Sequence, residues 1–261
     1  MDLQVLVATM NQEDHSLLEK MNIDSNALIA NQCDRNEVEK FDYRGFSIKY
    51  LSYDEKGVGL NRNNALMRAT SEVCLLADDD IVLRDNYRDI ILESFKENTD
   101  ADVIIYNLEE EAPKRFITKE KMKIGYLNYM RFGAARIAFR RKSITKNGIS
   151  FNLNFGGGAE YSAGEDTLFL KDCLKNKLTV IALPITIGKI EEVRPSTWFE
   201  GYNDKFFIDR GALFAAISRK CAKLLCLQFA LRRRNLFRER ISWIDAFKLM
   251  LKGVDQFSRM K

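Results

Sequence analysis

The chain has 261 residues, 46% of them hydrophobic, which is typical of one large domain or of a domain with a short appendage. Its five scattered cysteines argue against a disulfide framework, and its single histidine, His15, excludes a multi-histidine metal site. The formal net charge is only +4, and no stretch approaches the roughly 20 apolar residues that span a bilayer. The N-terminus has no basic region followed by a long apolar segment, so we expect no signal peptide and a cytoplasmic protein whose chemistry uses carboxylates.

Short apolar segments alternate with helical patterns along most of the chain. Strands are predicted over residues 3–8, 27–30, 47–51, from 73 onward, 102–106, 136–139, 179–183 and 185–190. Helices are predicted over residues 13–21, 60–69, 87–97 and 165–174. This order predicts an α/β fold, in which a mainly parallel sheet has helices on both faces and binds its ligand at the carboxyl ends of the strands.

Polar residues follow the predicted strands at that edge, among them Thr9, Asn11, Asn31 and Asp34. The run that begins at Val73 is apolar enough to be buried on both faces, and it ends in Asp78-Asp79-Asp80. Three adjacent carboxylates repel one another, so a divalent cation such as Mg²⁺ or Mn²⁺ is an economical partner for them. The alternative is a solvated turn that caps the next helix, because Asp is a common turn residue.

Two further segments carry candidate chemistry. Arg62 lies in the first turn of a predicted helix, where it either contacts a diphosphate or pairs with an acid. The glycines at 156–158 suggest a loop whose backbone approaches another group closely. Glu165 and Asp166 follow at a predicted helix start, where acids are stabilised by the helix dipole or where one of them serves as a catalytic base.

The last part of the chain, residues 216–261, differs from residues 1–215 in its charge, and we predict a boundary between the two. Basic residues are interleaved with apolar ones at helical spacing there, which favours an interfacial helix pair on anionic lipid. The alternative is a helix hairpin that packs on the domain with its charges in water. Nucleic-acid binding is disfavoured because no recognition motif accompanies the basic run. An aromatic cluster at 198–207 is interpreted as core packing or as a platform for a sugar face.

Together, the Asp78-Asp79-Asp80 strand end, the preceding Arg62-Asn63 and the later Gly164-Glu165-Asp166 resemble the family 2 glycosyltransferases with the GT-A fold. In that family an Arg-Asn pair on a helix precedes an aspartate-x-aspartate strand end, and a Glu-Asp pair follows some tens of residues later. The resemblance covers about residues 1–215. It implies a GT-A-type, Rossmann-like sheet and a metal-dependent, inverting glycosyltransferase of the hexosyltransferase type. It also implies a UDP- or GDP-linked sugar as donor and a glycan or lipid-linked acceptor in surface polysaccharide synthesis, peripheral to the inner face of the cytoplasmic membrane.

The resemblance also implies roles for particular residues. The nucleotide-sugar site would be lined by Thr9, Asn31, Arg62, Asp78 and Asp79. Asp80 would ligate Mn²⁺ or Mg²⁺, Asp166 would be the catalytic base, and Glu165 would orient the acceptor.

The chain departs from the family pattern in two places. Residues 31–34, Asn-Gln-Cys-Asp, replace the acidic pair that usually follows the second strand, so recognition of the nucleotide base is left open. A late histidine ligand is missing, and Glu191, Glu192 or water would have to complete the metal site.

Two other functions compete with this interpretation. A sugar nucleotidyltransferase would be expected to carry a glycine-rich, arginine-containing loop after the first strand, and residues 8–12 are not such a loop. A catalytically inactive scaffold or membrane-surface protein would keep the fold without turnover, because a fold alone does not determine function.

Overall fold

The computed structural model describes residues 1–111, 115–191 and 201–260. The strands are β1 Leu3–Met10, β2 Asn26–Cys33, β3 Glu37–Tyr43, β4 Phe46–Asp54, β5 Val73–Asp78, β6 Ile81–Leu83, β7 Val103–Glu109, β8 Met122–Lys123, β9 Ile137–Arg140 and β10 Val180–Ile190. The helices are α1 Leu17–Lys20, α2 Val58–Arg68, α3 Tyr87–Glu97, α4 Arg141–Lys146, α5 Glu165–Lys175, α6 Asp204–Ile217, α7 Ala222–Arg232 and α8 Trp243–Arg259. Glu192, Trp198 and Phe199, which the sequence analysis considered, lie outside the described residues.

The strands form one sheet in the order β3-β4-β2-β1-β5-β9-β7-β10-β6, with β8 paired to β10, and the predicted α/β class is confirmed. Strands β4, β2, β1 and β5 are parallel, as predicted. Strands β3 and β9 are antiparallel to their neighbours, so the whole sheet is mixed. The register places Thr9 opposite Asn31 and Ala8 opposite Asp78, which brings the ends of β1, β2 and β5 to one edge.

Strands β3 and β10 differ from the prediction. Strand β3 was not predicted because exposed polar and charged residues dominate it, a composition that protects a sheet edge from pairing with another chain. The two strands predicted on either side of Pro184 are one strand, β10. Its pairing to β7 shifts between Ala182 and Thr186, so the exposed proline sits at an irregularity where the regular ladder is already interrupted.

Apolar side chains cover both faces of the sheet. Val5, Val7 and Leu75 belong to the core on one face, and Leu6 and Leu76 belong to the core on the other. Because successive side chains of a strand point in opposite directions, β1 and β5 are buried on both sides. Their ends are therefore held rigidly, and so are the polar residues that follow them.

Helices α6, α7 and α8 share a further apolar core that includes Phe207, Phe214 and Met250. Two glycines let α6 and α8 touch: a Cβ on Gly211 would lie 1.9 Å from the carbonyl oxygen of Met250, and one on Gly253 would lie equally close to that of Ile208. This core includes residues on both sides of position 215, and the boundary there stays a prediction. Within the described ranges, no helix combines the length and the apolar character that crossing a membrane requires.

Candidate active site

Arg62 connects the two acidic motifs that the sequence places far apart. Its guanidinium donates to Asp78 Oδ1 at 2.6 Å and to Glu165 Oε1 at 2.9 Å, and it lies over the ring of Phe151. Burial lowers the pKa of Arg62, but attraction to Asp78 and Glu165 more than offsets this effect, so the pKa lies above its ordinary value. A permanently charged guanidinium therefore pairs with two carboxylates from different parts of the chain.

The neighbours of Arg62 hold α2 in place. The side chain of Asn61 donates to the carbonyl of Ala30 at 2.9 Å, which ties the helix to β2. Asn63 exchanges two hydrogen bonds with the backbone of Phe151, at 2.8 and 2.9 Å. The bonds to Phe151 satisfy backbone groups outside the regular ladders, and together these bonds fix the helix turn that carries Arg62.

The glycine loop packs against α2 and the start of α5. Gly156 has φ +106°, and a Cβ added there would lie 2.6 Å from Val58 Cγ1 and 2.9 Å from Glu165 Oε2. Glu165 Oε2 also accepts a hydrogen bond from the backbone N–H of Gly164 at 3.1 Å. The backbone of this loop therefore approaches Val58 and Glu165 of the protein itself, and these contacts immobilise Glu165.

Asp166 is partly buried beside Glu165. Its Oδ1 accepts from the backbone N–H of Thr167 at 2.6 Å, and its Oδ2 lies 3.4 Å from where a Cβ on Gly133 would be. Burial, and then the charge of Glu165, raise the pKa of Asp166 well above its ordinary value of 3.8. A carboxylate whose pKa is raised toward neutrality is suited to act as a general base.

Asp79 and Asp80 lie at the same edge as Asp78. Thr9 Oγ1 donates to Asp79 Oδ2 at 2.7 Å, so the end of β1 holds the acidic turn. Burial, followed by the charges of Asp78 and Asp79, raises the pKa of Asp80 to about 6. Asp80 forms no salt bridge with any residue that the structure describes. A cation at Asp80 would relieve the repulsion that raises this pKa.

The acidic edge fits a divalent metal that is held by few protein ligands. The described residues contain no group of three or more histidine, cysteine, aspartate or glutamate side chains that could hold a metal ion. Mg²⁺ does not require one, because it is commonly bound by one or two carboxylates together with substrate phosphates. Asp80 fits that arrangement. Glu191 was considered as a further metal ligand. Its backbone N–H donates to the Asp80 carbonyl at 2.8 Å, but its carboxylate pairs with Lys189 Nζ at 2.7 Å.

Asn31 is fully buried, and its side chain is used within the protein. Its carboxamide accepts from the backbone N–H of Gln12 and donates to the backbone carbonyl of Gln12, both at 3.0 Å, and it donates to Ser52. Gln12 Nε2 donates in turn to Thr9 Oγ1 at 2.9 Å. Gln12 was missed by the sequence analysis, although its place directly after β1 and close to Thr9 is a signal that could have identified it.

The structure thus brings Arg62, Asp78, Glu165 and Asp166 into one connected group, with Asp79 and Asp80 beside them. Thr9 joins this group through Asp79. Asn31 lies one layer behind it and holds the segment after β1.

Comparison with family models and with curated protein sequences finds no match. Solved structures do match. Residues 1–349 of TarS from S. aureus, in complex with UDP-GlcNAc, superpose with a TM-score of 0.66 and 17% identity over 98% of this chain and 84% of that one. The complex of the same fragment with UDP superposes with a TM-score of 0.64 and 18% identity, over 98% of this chain and 83% of that one. A third match is the mannosyltransferase PcManGT from Pyrobaculum calidifontis in complex with GDP-Man and Mn²⁺. It superposes with a TM-score of 0.50 and 11% identity, over 98% of this chain and 75% of that one. The chain therefore has the GT-A glycosyltransferase fold that its motifs predicted.

Proposed function

We propose that the chain is a metal-dependent, inverting glycosyltransferase of the hexosyltransferase type that uses a UDP- or GDP-linked sugar. The observation that carries this proposal is Arg62, which joins the acidic strand end to the Glu165-Asp166 pair at one edge of a GT-A sheet. The complexes of TarS with UDP-GlcNAc and of PcManGT with GDP-Man and Mn²⁺ support a nucleotide-sugar donor and a divalent cation.

The donor would lie along the ends of β1, β2 and β5. Asp78 and Asp79, held by Arg62 and Thr9, would face the nucleotide sugar, and Asn31 would act through the Gln12 backbone that it positions. Asp80 would hold Mn²⁺ or Mg²⁺, which when bound stabilises negative charge on a leaving diphosphate. Arg62 contributes a fixed positive charge close to this region without a proton to lose.

The acceptor would lie on the side of Asp166. Its carboxylate would take the proton from the acceptor hydroxyl as that oxygen attacks the sugar carbon. Attack on the face opposite the leaving diphosphate inverts the anomeric carbon. Glu165, fixed by Arg62 and by the Gly164 N–H, would orient the acceptor at the start of α5.

Nucleotide binding tests the donor site. We expect calorimetry to show that UDP or GDP binds in a Mn²⁺-dependent manner, and that Asp80→Asn weakens this binding on the order of 10- to 100-fold, since it removes a charged ligand but keeps the side-chain volume. Asp100→Asn, at an exposed carboxylate away from the site, is the matched control and should bind like the wild type. Failure of both nucleotides to bind the folded wild type would contradict the proposal and favour the catalytically inactive scaffold.

We also propose that the acceptor is a glycan or a lipid-linked glycan in surface polysaccharide synthesis, met at the inner face of the cytoplasmic membrane. Helices α7 and α8 and the turn between them present an exposed surface that combines apolar and basic side chains, here called the tail surface. It comprises Leu224, Leu231, Leu236, Trp243 and Ile244 together with Arg232, Arg233, Arg234 and Arg238. Exposed apolar groups next to clustered arginines suit an anionic lipid surface.

Vesicle flotation tests the membrane proposal. The wild type is expected to float with vesicles that contain phosphatidylglycerol but not with pure phosphatidylcholine, because basic residues add about 1 kcal/mol each near an anionic surface. Changing Arg232, Arg233 and Arg234 to Gln should abolish flotation. A matched triple variant at the exposed Arg44, Lys142 and Lys146, also changed to Gln, should float like the wild type. Equal flotation of the two triple variants, or none by the wild type, would refute binding by the tail surface.

A further inference from the structure

Helix α6 packs directly on the segment that leads into Glu165 and Asp166. Asp209 Oδ2 accepts hydrogen bonds from the backbone N–H and the hydroxyl of Ser162, at 2.9 and 2.7 Å. One turn later, Leu213 contacts Gly164, where an added Cβ would lie only 2.6 Å from Leu213 Cδ1. Arg210 lies next to Asp209 and one turn before Leu213. Helix α6 therefore lies against the segment just before α5, and Arg210 lies on this part of the helix.

The Arg210 guanidinium lies against two aromatic rings. It is 5.3 Å from the ring centroid of Phe206 and 5.4 Å from that of Phe229, which come from α6 and α7. These contacts hold the planar group in place through cation–π attraction. Within the described part of the chain, Arg210 forms no hydrogen bond or salt bridge, although a guanidinium carries five N–H donors. A fixed, half-buried guanidinium without an internal acceptor is suited to bind an anion from outside the protein.

The charges around Arg210 indicate on which side of the site such an anion would lie. Burial lowers the pKa of Arg210, and Asp166 is the main group that opposes this effect, followed by Tyr202 and more weakly by Asp209. Arg233 adds a second positive charge from the end of α7. Arg210 is thus a cation on α6, the helix that contacts Ser162 and Gly164, and Asp166 is the charge that most favours its ionised form. Arg62, by contrast, is already paired with Asp78 and Glu165.

We propose that Arg210 binds an anionic group of the acceptor, a phosphate or a carboxylate, next to the hydroxyl that Asp166 deprotonates. This inference rests on the proposed function, because it takes the side of Asp166 as the acceptor side. An acceptor with a negative charge is repelled by Glu165 and Asp166, and a guanidinium at this position offsets that repulsion. The acceptor class is therefore an anionic glycan and not a neutral sugar.

Inorganic phosphate is the first probe. It is titrated by calorimetry into the protein saturated with Mg²⁺ and the nucleotide that binds, so that the donor diphosphate site is already filled. Arg210→Met retains an apolar side chain against the two rings, and it is expected to weaken phosphate binding by about 10-fold or more, since a charge-assisted bidentate contact is lost. Arg219→Met, at an exposed arginine just beyond α6, is the matched control and should bind phosphate like the wild type.

Three results decide this experiment. Phosphate binding that is lost in Arg210→Met but kept in Arg219→Met supports the proposal. Absence of phosphate binding to the nucleotide-loaded wild type, or equal binding to Arg210→Met, overturns it. If Arg210→Met fails to fold, Arg210→Lys replaces it. This variant keeps the charge but loses the planar guanidinium, so it should bind phosphate more weakly than the wild type does. An unchanged phosphate affinity in Arg210→Lys counts against the proposal.

A second titration separates the two sources of negative charge. Glucose, glucose 6-phosphate and glucuronate are compared in the nucleotide-loaded wild type and in Arg210→Met. At least one charged sugar should bind about 10-fold more tightly than glucose in the wild type, and the difference should vanish in the variant. Equal binding of all three by the wild type would refute an anionic acceptor. Nucleotide binding itself is the independent readout of the proposed function, so its failure is distinguishable from failure at Arg210.

Discussion

Arg62→Met is expected to lower the free energy of unfolding by about 3 kcal/mol near neutral pH, the loss that follows when one partner of a buried ion pair is removed. The variant leaves the Glu165 carboxylate, only 13% exposed, without its cation. Asp78 contributes less to this loss, because it is 38% exposed and water can replace the guanidinium there. Urea denaturation followed by circular dichroism measures the change.

The pH dependence of this variant gives a second check. Without Arg62, the folded-state pKa of Asp166 rises further, because Arg62 is a charge that lowers it in the wild type. A carboxyl group whose folded pKa is raised loses stability as the pH rises from its unfolded pKa to its folded pKa, so the deficit of the variant builds up between the wild-type folded pKa and the higher folded pKa of the variant. The deficit relative to the wild type should therefore be largest at about pH 8 and smaller at about pH 5.

Lys142→Met is the control for the loss of a positive charge. Lys142 is exposed on α4 and forms no salt bridge with a described residue. Its variant should stay within about 0.5 kcal/mol of the wild type. A loss below about 1 kcal/mol in Arg62→Met would mean that the pairs behave like exposed ones, and Arg62 would not organise the site.

The strands at the centre of the site could be predicted from the sequence because they are buried on both faces. Such strands are continuous apolar runs, as Val73–Asp78 is, and the polar residues that follow them mark the ligand edge. The edge strand β3 has no such pattern, since exposed positions accept almost any residue. Pro184 suggested a break between two strands, but a shift in register accommodates it within one.

The partners of the site residues were much less predictable than their strands and helices. From the sequence, Arg62 could bind a diphosphate or pair with an acid, and the structure shows two acids, one of them 103 positions away. Phe206 was interpreted as part of an aromatic cluster, without any indication that an arginine lies over its ring. Phe206 and Arg210 are four residues apart on α6, but the contact of Arg210 with Phe229 depends on how α6 packs against α7, and no local pattern in the chain encodes that packing.

Asp166→Asn is expected to reduce sugar transfer by about 10²- to 10⁴-fold while nucleotide binding stays unchanged, because the amide cannot accept the proton of the acceptor hydroxyl. Release of the nucleoside diphosphate in the presence of an acceptor measures the rate. In the wild type, kcat/KM should fall as the pH decreases through the raised pKa of Asp166, since the base must be ionised. Asp172→Asn, on the same helix, is the matched control and should transfer sugar at the wild-type rate.

The stability of Asp166→Asn should change in the opposite direction to its activity. Burial and Glu165 raise the folded-state pKa of Asp166, so the stability that its protonated form provides at low pH is lost as the pH rises through that pKa. Asparagine does not ionise, and the variant should therefore unfold at a higher urea concentration than the wild type at about pH 8, with the difference shrinking toward about pH 5. If Asp166 served only to stabilise the fold, its replacement would lower the stability of the protein. Lower activity together with higher stability would show that the partly buried carboxylate serves catalysis at a cost in the stability of the fold.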